Sequence, residues 1–204
     1  MTHRRLVAMV VLLMATAASS WAVASPNGLG SEADQGCLCH TPEASTSVQV
    51  EGLPEAYTSN TAYALTLTVS SPIEPAVNAS QGGFRWKVDE GSLSPVNNST
   101  VQELEGGWTH TKEGSTLRSW DVIWTSPSDN TTAANFLIYG NAVNGNNAPT
   151  GDGWAVLEFV VPGDAYDGDL TPDEGIDGVS ERDRVVLVVS LVLIFGLVWA
   201  TARP

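Results

Sequence analysis

The sequence predicts an all-β protein, an antiparallel β-sandwich of about seven strands, with a signal peptide before it and one transmembrane helix after it. Three observations predict this architecture. Short runs of alternating apolar and polar residues are separated by turn-forming clusters of Gly, Pro, Asn and Ser, a pattern typical of sandwiches. Both ends of the chain carry apolar runs beside arginines. No stretch between those ends shows helical periodicity.

The amino terminus, residues 1–24, has the three parts of a secretory signal peptide. Arg4 and Arg5 form a basic region, an apolar core follows, and residues 22–24 supply a small-x-small cleavage motif. We expect cleavage before Ser25. An uncleaved amino-terminal anchor is the alternative interpretation.

The mature chain is predicted to start with a lead, residues 25–44, which contains the cluster Cys37-Leu38-Cys39-His40. The β-sandwich is predicted over residues 45–162. Its two last apolar runs lack clean alternation, which favours central strands covered on both sides. The predicted strand runs are 48–50, 63–69, 84–88, 120–124, 134–142 and 154–161. The aromatic residues assigned to its core are Trp86, Trp120, Trp124, Phe136, Trp154 and Phe159.

After the sandwich, residues 163–184 form an acidic stalk, which we interpret as a solvated linker because the calcium-loop pattern is not met. Residues 185–201 are predicted to be a short transmembrane helix, followed by a cytoplasmic tail at residues 202–204. A carboxy-terminal sorting signal that is later removed also fits. Either interpretation places the domain outside the cell, tethered to the cell membrane in a single pass.

Composition excludes one class of partner. The chain has 23 acidic and 9 basic residues and a formal net charge of −14. Phosphate binding needs clustered Lys and Arg, so we expect no nucleic-acid partner. The expected partners are the membrane, through the carboxy-terminal helix, and a redox or surface protein.

Several short motifs, in order, carry a resemblance to a known family. They are Gly82-Gly83-Phe84, Thr109-His110-Thr111, the W-x-h-x-W-[TS]-x-P strand at residues 120–127, the Asn-rich strand at residues 138–145, and Gly151-Asp152. Their order resembles reeler-type domains and, more closely, the microbial "choice-of-anchor V" family. Over residues 36–162 the resemblance implies an Ig-like sandwich in an exported, anchored protein, without a known reaction.

The cluster Cys37-x-Cys39-His40 holds both cysteines and one of the three histidines. Two thiolates and an imidazole suit copper or zinc, with His110 as a possible fourth ligand. Haem attachment uses C-x-x-C-H, so this shorter spacing would need a distorted loop. A Cys37–Cys39 disulfide, free thiols or pairing with another chain remain open. The alternative for His110 is a partly buried, hydrogen-bonded side chain near a strand start.

Four sequons mark candidate glycosylation sites in predicted turns. Their acceptor residues are Asn78, Asn97, Asn98 and Asn130.

These observations lead to two functional hypotheses. The first is a membrane-anchored extracytoplasmic module whose Cys-x-Cys-His site holds a metal or haem for binding or electron transfer. The alternative is a non-catalytic adhesion or structural module with a Cys37–Cys39 disulfide. We expect no enzyme and assign no catalytic residue, because the sequence contains no G-x-S-x-G motif and no nucleophile–base set.

Overall fold

The computed structural model describes residues 25–37, 40–146, 148, 150–170, 185, 187–194 and 196. These residues belong to two units, which are considered separately. The first unit, described over residues 25–170, holds all the strands found among the described residues. The second is described at residues 185, 187–194 and 196, all of them helical.

The first unit is an all-β sandwich. Its strands are β1 (Thr41–Pro42), β2 (Ser47–Glu51), β3 (Ala62–Ser70), β4 (Gly82–Val88), β5 (Ser92–Pro95), β6 (Val101–Leu104), β7 (Gly107–His110), β8 (Ser119–Thr125), β9 (Ala133–Ala142) and β10 (Gly153–Pro162). Two single-turn 3-10 helices cover Ser31–Ala33 and Gly114–Thr116. The prediction of an all-β sandwich is therefore confirmed, with ten strands in the described part of the chain where about seven were expected.

The strands form two sheets. One has six strands in the order β1-β10-β9-β4-β7-β6, and the other has four in the order β2-β3-β8-β5. All neighbours are antiparallel except β1 and β10, which are parallel. The unpredicted strands β1, β5, β6 and β7 have two to four residues each. Runs that short do not show the alternation from which strands are recognised.

The core lies between the sheets and is rich in aromatic side chains. Trp86, Trp120 and Trp124 are at most 2% exposed. The Phe136 ring packs on Trp124, at a centroid distance of 5.1 Å, and stacks on Phe159 at 4.8 Å. Because each face of a strand carries every second residue, Phe159 and Val161 define the inner face of β10.

Trp154 differs from its predicted core position. It has the opposite parity to Phe159 on β10, so it lies on the outer face of the six-stranded sheet. There its ring faces Gly36, where an added Cβ would come within 2.9 Å of it. The apolar residues on both faces of β10 predict cover on both sides of the strand, but Trp154 belongs to the outer face and not to the inner face assigned to it.

The two sheets differ in how their outer faces are covered. Strand β8 alternates between buried and more exposed residues, the pattern of a strand with one wet face. In β4 the first five residues are all buried, including Arg85. The core covers one face of β4, and the amino-terminal lead covers the other.

In the second unit, the described residues 187–194 are helical and exposed. Among the described residues, no helix is both long and apolar enough to cross a membrane. The predicted signal peptide, residues 1–24, and the tail, residues 202–204, lie outside the described residues, as does the stalk beyond residue 170.

Candidate functional site

Residues 25–37, here called the strap, cross the outer face of the six-stranded sheet. Near its start, the Leu29 amide donates to Thr109 Oγ1 at 2.9 Å, on β7. Near its end, Gly36 lies against the Trp154 ring on β10. The described chain next meets the sheet at β1, which pairs with β10. A segment without periodicity thus covers strands β7, β4, β9 and β10.

A buried guanidinium fastens the middle of the strap. Arg85, on β4, is fully buried. Its Nε donates to Asp34 Oδ1 at 2.7 Å, and Nη1 donates to the Leu29 carbonyl at 3.2 Å. On the hairpin side, its Nη1 and Nη2 donate to the carbonyls of Leu104 and Glu105 at 2.6 and 3.0 Å. The guanidinium thus ties the strap to the β6–β7 hairpin through four hydrogen bonds, which compensate its burial.

Asp34 is the acidic partner of this centre. Its second carboxylate oxygen accepts from Lys87 Nζ at 2.9 Å. Burial alone raises the pKa of Asp34, but the hydrogen bonds and charges of Arg85 and Lys87 outweigh it and lower that pKa overall. The carboxylate is therefore ionised at neutral pH, and the salt bridge is intact.

The β6–β7 hairpin supplies a second anchor. Its loop residues Glu105 and Gly106 have φ of 46° and 70°, the left-handed pair of a two-residue hairpin turn. The Glu105 carboxylate accepts from the backbone amide and hydroxyl of Ser31, at 2.8 and 2.7 Å. These hydrogen bonds, that of the backbone amide first, lower the pKa of Glu105. The next residue, Gly107, lets the Arg85 guanidinium approach closely, since a Cβ there would lie 2.5 Å from Cζ.

His110 ends β7 and is 3% exposed. Its Nδ1 accepts from the Phe84 amide at 3.2 Å. Burial lowers the pKa of His110 to about 4, against the opposing effect of hydrogen bonds to the backbone of Phe84 and Ser25. The ring lies over Gly83, where an added Cβ would sit 2.4 Å from Cε1. The imidazole is thus neutral at pH 7 and bonded to the start of both the strap and β4.

His40 is the first described residue after the strap. Its Nδ1 is 3.2 Å from Asp152 Oδ2, both side chains being nearly buried, at 11% and 4% exposure. The arrangement lacks hydrogen-bond geometry, so Nδ1 is a buried atom without a hydrogen bond in the described structure. The His40 carbonyl accepts from Trp154 Nε1 at 3.0 Å. Cys37 is buried nearby, at 6% exposure, and its carbonyl accepts from the His40 amide at 2.9 Å.

The predicted ligand set is only partly brought together. Strands β4, β9 and β10 separate β7, which carries His110, from β1, which follows His40. Four strand intervals span roughly 19 Å, too far for one metal ion. Within the described residues no group of three or more His, Cys, Asp or Glu side chains could hold a metal ion. Cys39 lies outside those residues, so the Cys37–Cys39 relation stays a prediction.

The sequon residues lie in loops. Asn78, Asn97 and Asn98 are exposed, as a glycan acceptor must be. Asn130 is half-buried, and its side-chain amide donates to Asp164. A glycan on Asn130 would have to replace that hydrogen bond.

Sequence reasoning missed Asp34 and Arg85, which organise the strap, and Asp152, which faces His40. One signal for Arg85 was present, since a lone arginine stands between Phe84 and Trp86 in an apolar strand. Asp152 was visible only as part of a Gly-Asp turn. Its carboxylate accepts from the Asn144 amide at 2.9 Å as well as facing His40.

Comparison with known proteins gives a limited result. No protein-family model and no curated protein matches this sequence. The chain is similar to the solved reeler domain of human F-spondin, with 15% identity and a TM-score of 0.40, over 60% of this chain and 92% of that one. It is also similar to a conjugate transposon protein from Bacteroides vulgatus, with 14% identity and a TM-score of 0.40 over 63% and 93% of the two chains. A conjugative transposon lipoprotein from Bacteroides eggerthii gives 15% identity and a TM-score of 0.37 over 58% and 98%.

Reeler domains are thus among the structures to which this chain is similar, as the sequence resemblance implied. At these identities and TM-scores the similarity carries no inference about partners or activity. Membership of the choice-of-anchor V family and export remain predictions.

Proposed function

We propose that this protein is a non-catalytic structural or adhesion module, displayed outside the cell on a membrane by its carboxy-terminal helix. The observation that carries the proposal is the use of the interior polar groups of the sandwich. Arg85 donates four hydrogen bonds, which hold the strap and the β6–β7 hairpin together. Burial keeps the imidazole of His110 neutral, and its Nδ1 accepts a hydrogen bond from the Phe84 amide. These groups stabilise a rigid scaffold, which suits presentation of a surface.

The membrane part of the proposal is supported by the second unit. Its described apolar side chains, from Val185 to Ile194, are between 45% and 64% exposed. A contiguous run of exposed apolar side chains is unfavourable in water and typical of sites that contact lipid or protein. Arginines flank the run at positions 184 and 203. A lipid environment would bury this apolar surface.

Extraction and protease accessibility test the display. The full chain, expressed in cells, is expected to remain in the membrane pellet after alkaline carbonate washing. Added protease is expected to release the sandwich from intact cells. Val192→Arg would place a charge within the apolar run, at a cost of about 2–3 kcal/mol, and is expected to move the chain into the carbonate supernatant. Val77→Arg, at a residue 90% exposed in a sandwich loop, is the matched control and should stay in the pellet. Full extraction of the unchanged protein would contradict the tether.

A second candidate function rests on one observation, the buried Nδ1 of His40 without a hydrogen bond, 3.2 Å from Asp152 Oδ2. A zinc or copper ion held by Cys37, Cys39 and His40 would give Nδ1 a partner. Asp152, rather than His110, would be the fourth ligand. Such a site would make the module a metal-dependent binding or electron-transfer protein.

Elemental analysis of protein purified without chelators tests this second candidate. It predicts one zinc or copper per chain, lowered in His40→Gln and Asp152→Asn and unchanged in His110→Gln. A haem would instead appear as a Soret band that depends on both cysteines. Metal-free, colourless protein whose thiols react with iodoacetamide only after reduction would contradict the site and leave the disulfide of the alternative hypothesis.

A further inference from the structure

Along most of β10, the edge of the six-stranded sheet has no hydrogen-bonded neighbour among the described residues, although β2 of the other sheet lies close to it. β1 pairs only with Gly153 and Trp154, at the start of the strand. Past the other end, Tyr57 forms a parallel bridge with Gly163. Over residues 155–161, no segment among the described residues pairs with this side of β10. The result is a gap in the sheet, bounded at both ends and long enough for an extended segment of about five residues.

The backbone groups in this gap can be assigned from its two ends. The Trp154 carbonyl accepts from the Glu43 amide at 3.2 Å, and the Pro162 carbonyl accepts from the Tyr57 amide at 2.8 Å. Both carbonyls therefore face away from β9. Because edge-facing groups recur at every second residue, Val156, Glu158 and Val160 present their amides and carbonyls to the open edge. These three amides and three carbonyls have no backbone partner on this edge among the described residues.

The side chains of the same three residues lie on the outer face, beyond the strap. Val156 is 48% exposed and Val160 is half-buried. Leu137, directly opposite Glu158 on β9, extends this apolar surface. The Glu158 carboxylate stands in its centre, and its charge contributes to raising the pKa of Tyr139, second to burial. The edge therefore combines apolar surface with one central negative charge.

We propose that this edge binds an extended segment of a partner protein, which adds a strand beside β10 and places a Lys or Arg opposite Glu158 between β-branched apolar residues. Strand addition to an open edge is a general mode of peptide recognition, in which main-chain hydrogen bonds give affinity and alternate side chains give specificity. Cross-strand pairs of opposite charge stabilise such pairing. The proposal names a partner class for the display module and rests on that function only for the partner's location.

Charge argues against a second copy of this chain as the occupant. Antiparallel self-pairing centred on Glu158 would place two carboxylates directly opposite each other, which is destabilising. Each copy also carries a formal net charge of −14. A charged residue in the middle of an exposed edge is a known protection against such edge-to-edge association.

Fluorescence anisotropy tests the proposal with the full chain in detergent. The probe is a labelled five-residue peptide that alternates Val and Thr and carries Lys in place of its central Val; the control peptide carries Glu there. We expect the Lys peptide to bind about tenfold more tightly than the Glu peptide. Glu158→Lys is expected to reverse that preference, and Glu158→Gln to abolish it.

A second variant separates backbone pairing from charge attraction. Val156→Pro removes an amide that faces the open edge and not β9, so the sheet itself keeps its hydrogen bonds. We expect this variant to lose about tenfold in affinity for the Lys peptide while unfolding at an unchanged temperature. Equal binding of both peptides, or binding insensitive to Glu158→Lys, would overturn the proposal.

A concentration-dependent dimer that Val156→Pro abolishes, seen by sedimentation velocity, would assign the edge to a second copy and overturn the proposal as well. Carbonate extraction of the same variants separates this outcome from failure of the membrane display. Loss of peptide binding with retention in the pellet rejects the strand-addition site alone.

Discussion

The polar groups on the outer faces of the two sheets find their hydrogen-bond partners in different ways. On the four-stranded sheet, small polar side chains face water and pair across strands, as Thr66 does with Asp121 at 2.8 Å and Thr68 with Ser119 at 3.2 Å. On the six-stranded sheet, the strap covers the outer face and leaves Arg85 buried there. Polar side chains on the four-stranded sheet hydrogen-bond to water and to neighbouring strands. On the six-stranded sheet, Arg85 hydrogen-bonds to segments from elsewhere in the chain.

The comparison shows what an added cover changes. Under the strap a sheet face can carry an arginine because the strap and the β6–β7 hairpin bring it a carboxylate and three carbonyls. Without them, an unpaired buried charge would be strongly unfavourable. We therefore expect substitutions on the covered face to cost much more than substitutions on the open face.

The largest effect is expected for Arg85→Ala. It removes all four hydrogen bonds of the guanidinium and leaves Asp34 and three carbonyls without this partner. We expect a loss of about 4 kcal/mol in the free energy of unfolding, measured by urea denaturation. A loss below about 1 kcal/mol would show that the strap is held by other contacts.

The next effect is a dependence of stability on pH that originates at His110. The pKa of the folded imidazole, about 4, lies below its ordinary value of 6.5. Between these values the unfolded chain takes up a proton that the folded chain does not. Stability is therefore fully present above pH 6.5 and falls as the pH decreases toward 4, by roughly 3 kcal/mol.

Urea denaturation at pH 7, 5.5 and 4.5 measures this dependence, with His110→Gln as the control. The variant should show a shallower decline over the same range. Asp34, with its lowered pKa, contributes stability that is lost only below its ordinary value of 3.8. Identical declines for the variant and the unchanged protein would exclude His110 as the source.

A smaller effect is expected for Trp154→Phe, at the far end of the strap. The substitution keeps a ring against Gly36 but removes the hydrogen bond from Nε1 to the His40 carbonyl. We expect a loss of about 1 kcal/mol in the free energy of unfolding. A loss as large as that of Arg85→Ala would place the main anchor of the strap at Trp154 instead.

The smallest effect is expected on the open face, for Thr66→Ala. Its hydrogen bond to Asp121 is exposed and is replaced by water. The free energy of unfolding should change by no more than about 0.5 kcal/mol. A loss above 1 kcal/mol by the same denaturation measurement would remove the contrast between the two faces.

The same contrast explains how far the sequence predicts the fold. Strands β3 and β8 alternate cleanly because one face is wet, and the sequence predicts both. The lead has no periodicity, since its residues are placed by contacts with β4, β7 and β10 that are distant in sequence. Its course, and with it the burial of Arg85, could not be predicted from local pattern. Trp154 was assigned to the core because an aromatic residue under a strap looks the same in sequence as one between sheets.

The candidate site was predicted in one part only. The cysteine–histidine cluster is visible as a concentration of soft ligands, but the partner of His40 is Asp152, 112 residues later in the chain. The parallel pairing of β1 with β10 brings the two together. His110 was predicted as a further ligand beside His40, but the two histidines lie far apart because three strands separate β7 from β1.

Hydrogen exchange on Arg85→Met tests the central claim, that this guanidinium fastens the strap over the six-stranded sheet. Met keeps an apolar side chain of similar length and removes the charge and the donors. The predicted result is fast exchange of the strap amides of Leu29 and Ser31, with protection of the β3 and β8 amides retained. Unchanged protection of Leu29 and Ser31 would contradict the claim, because the strap would then be held without Arg85.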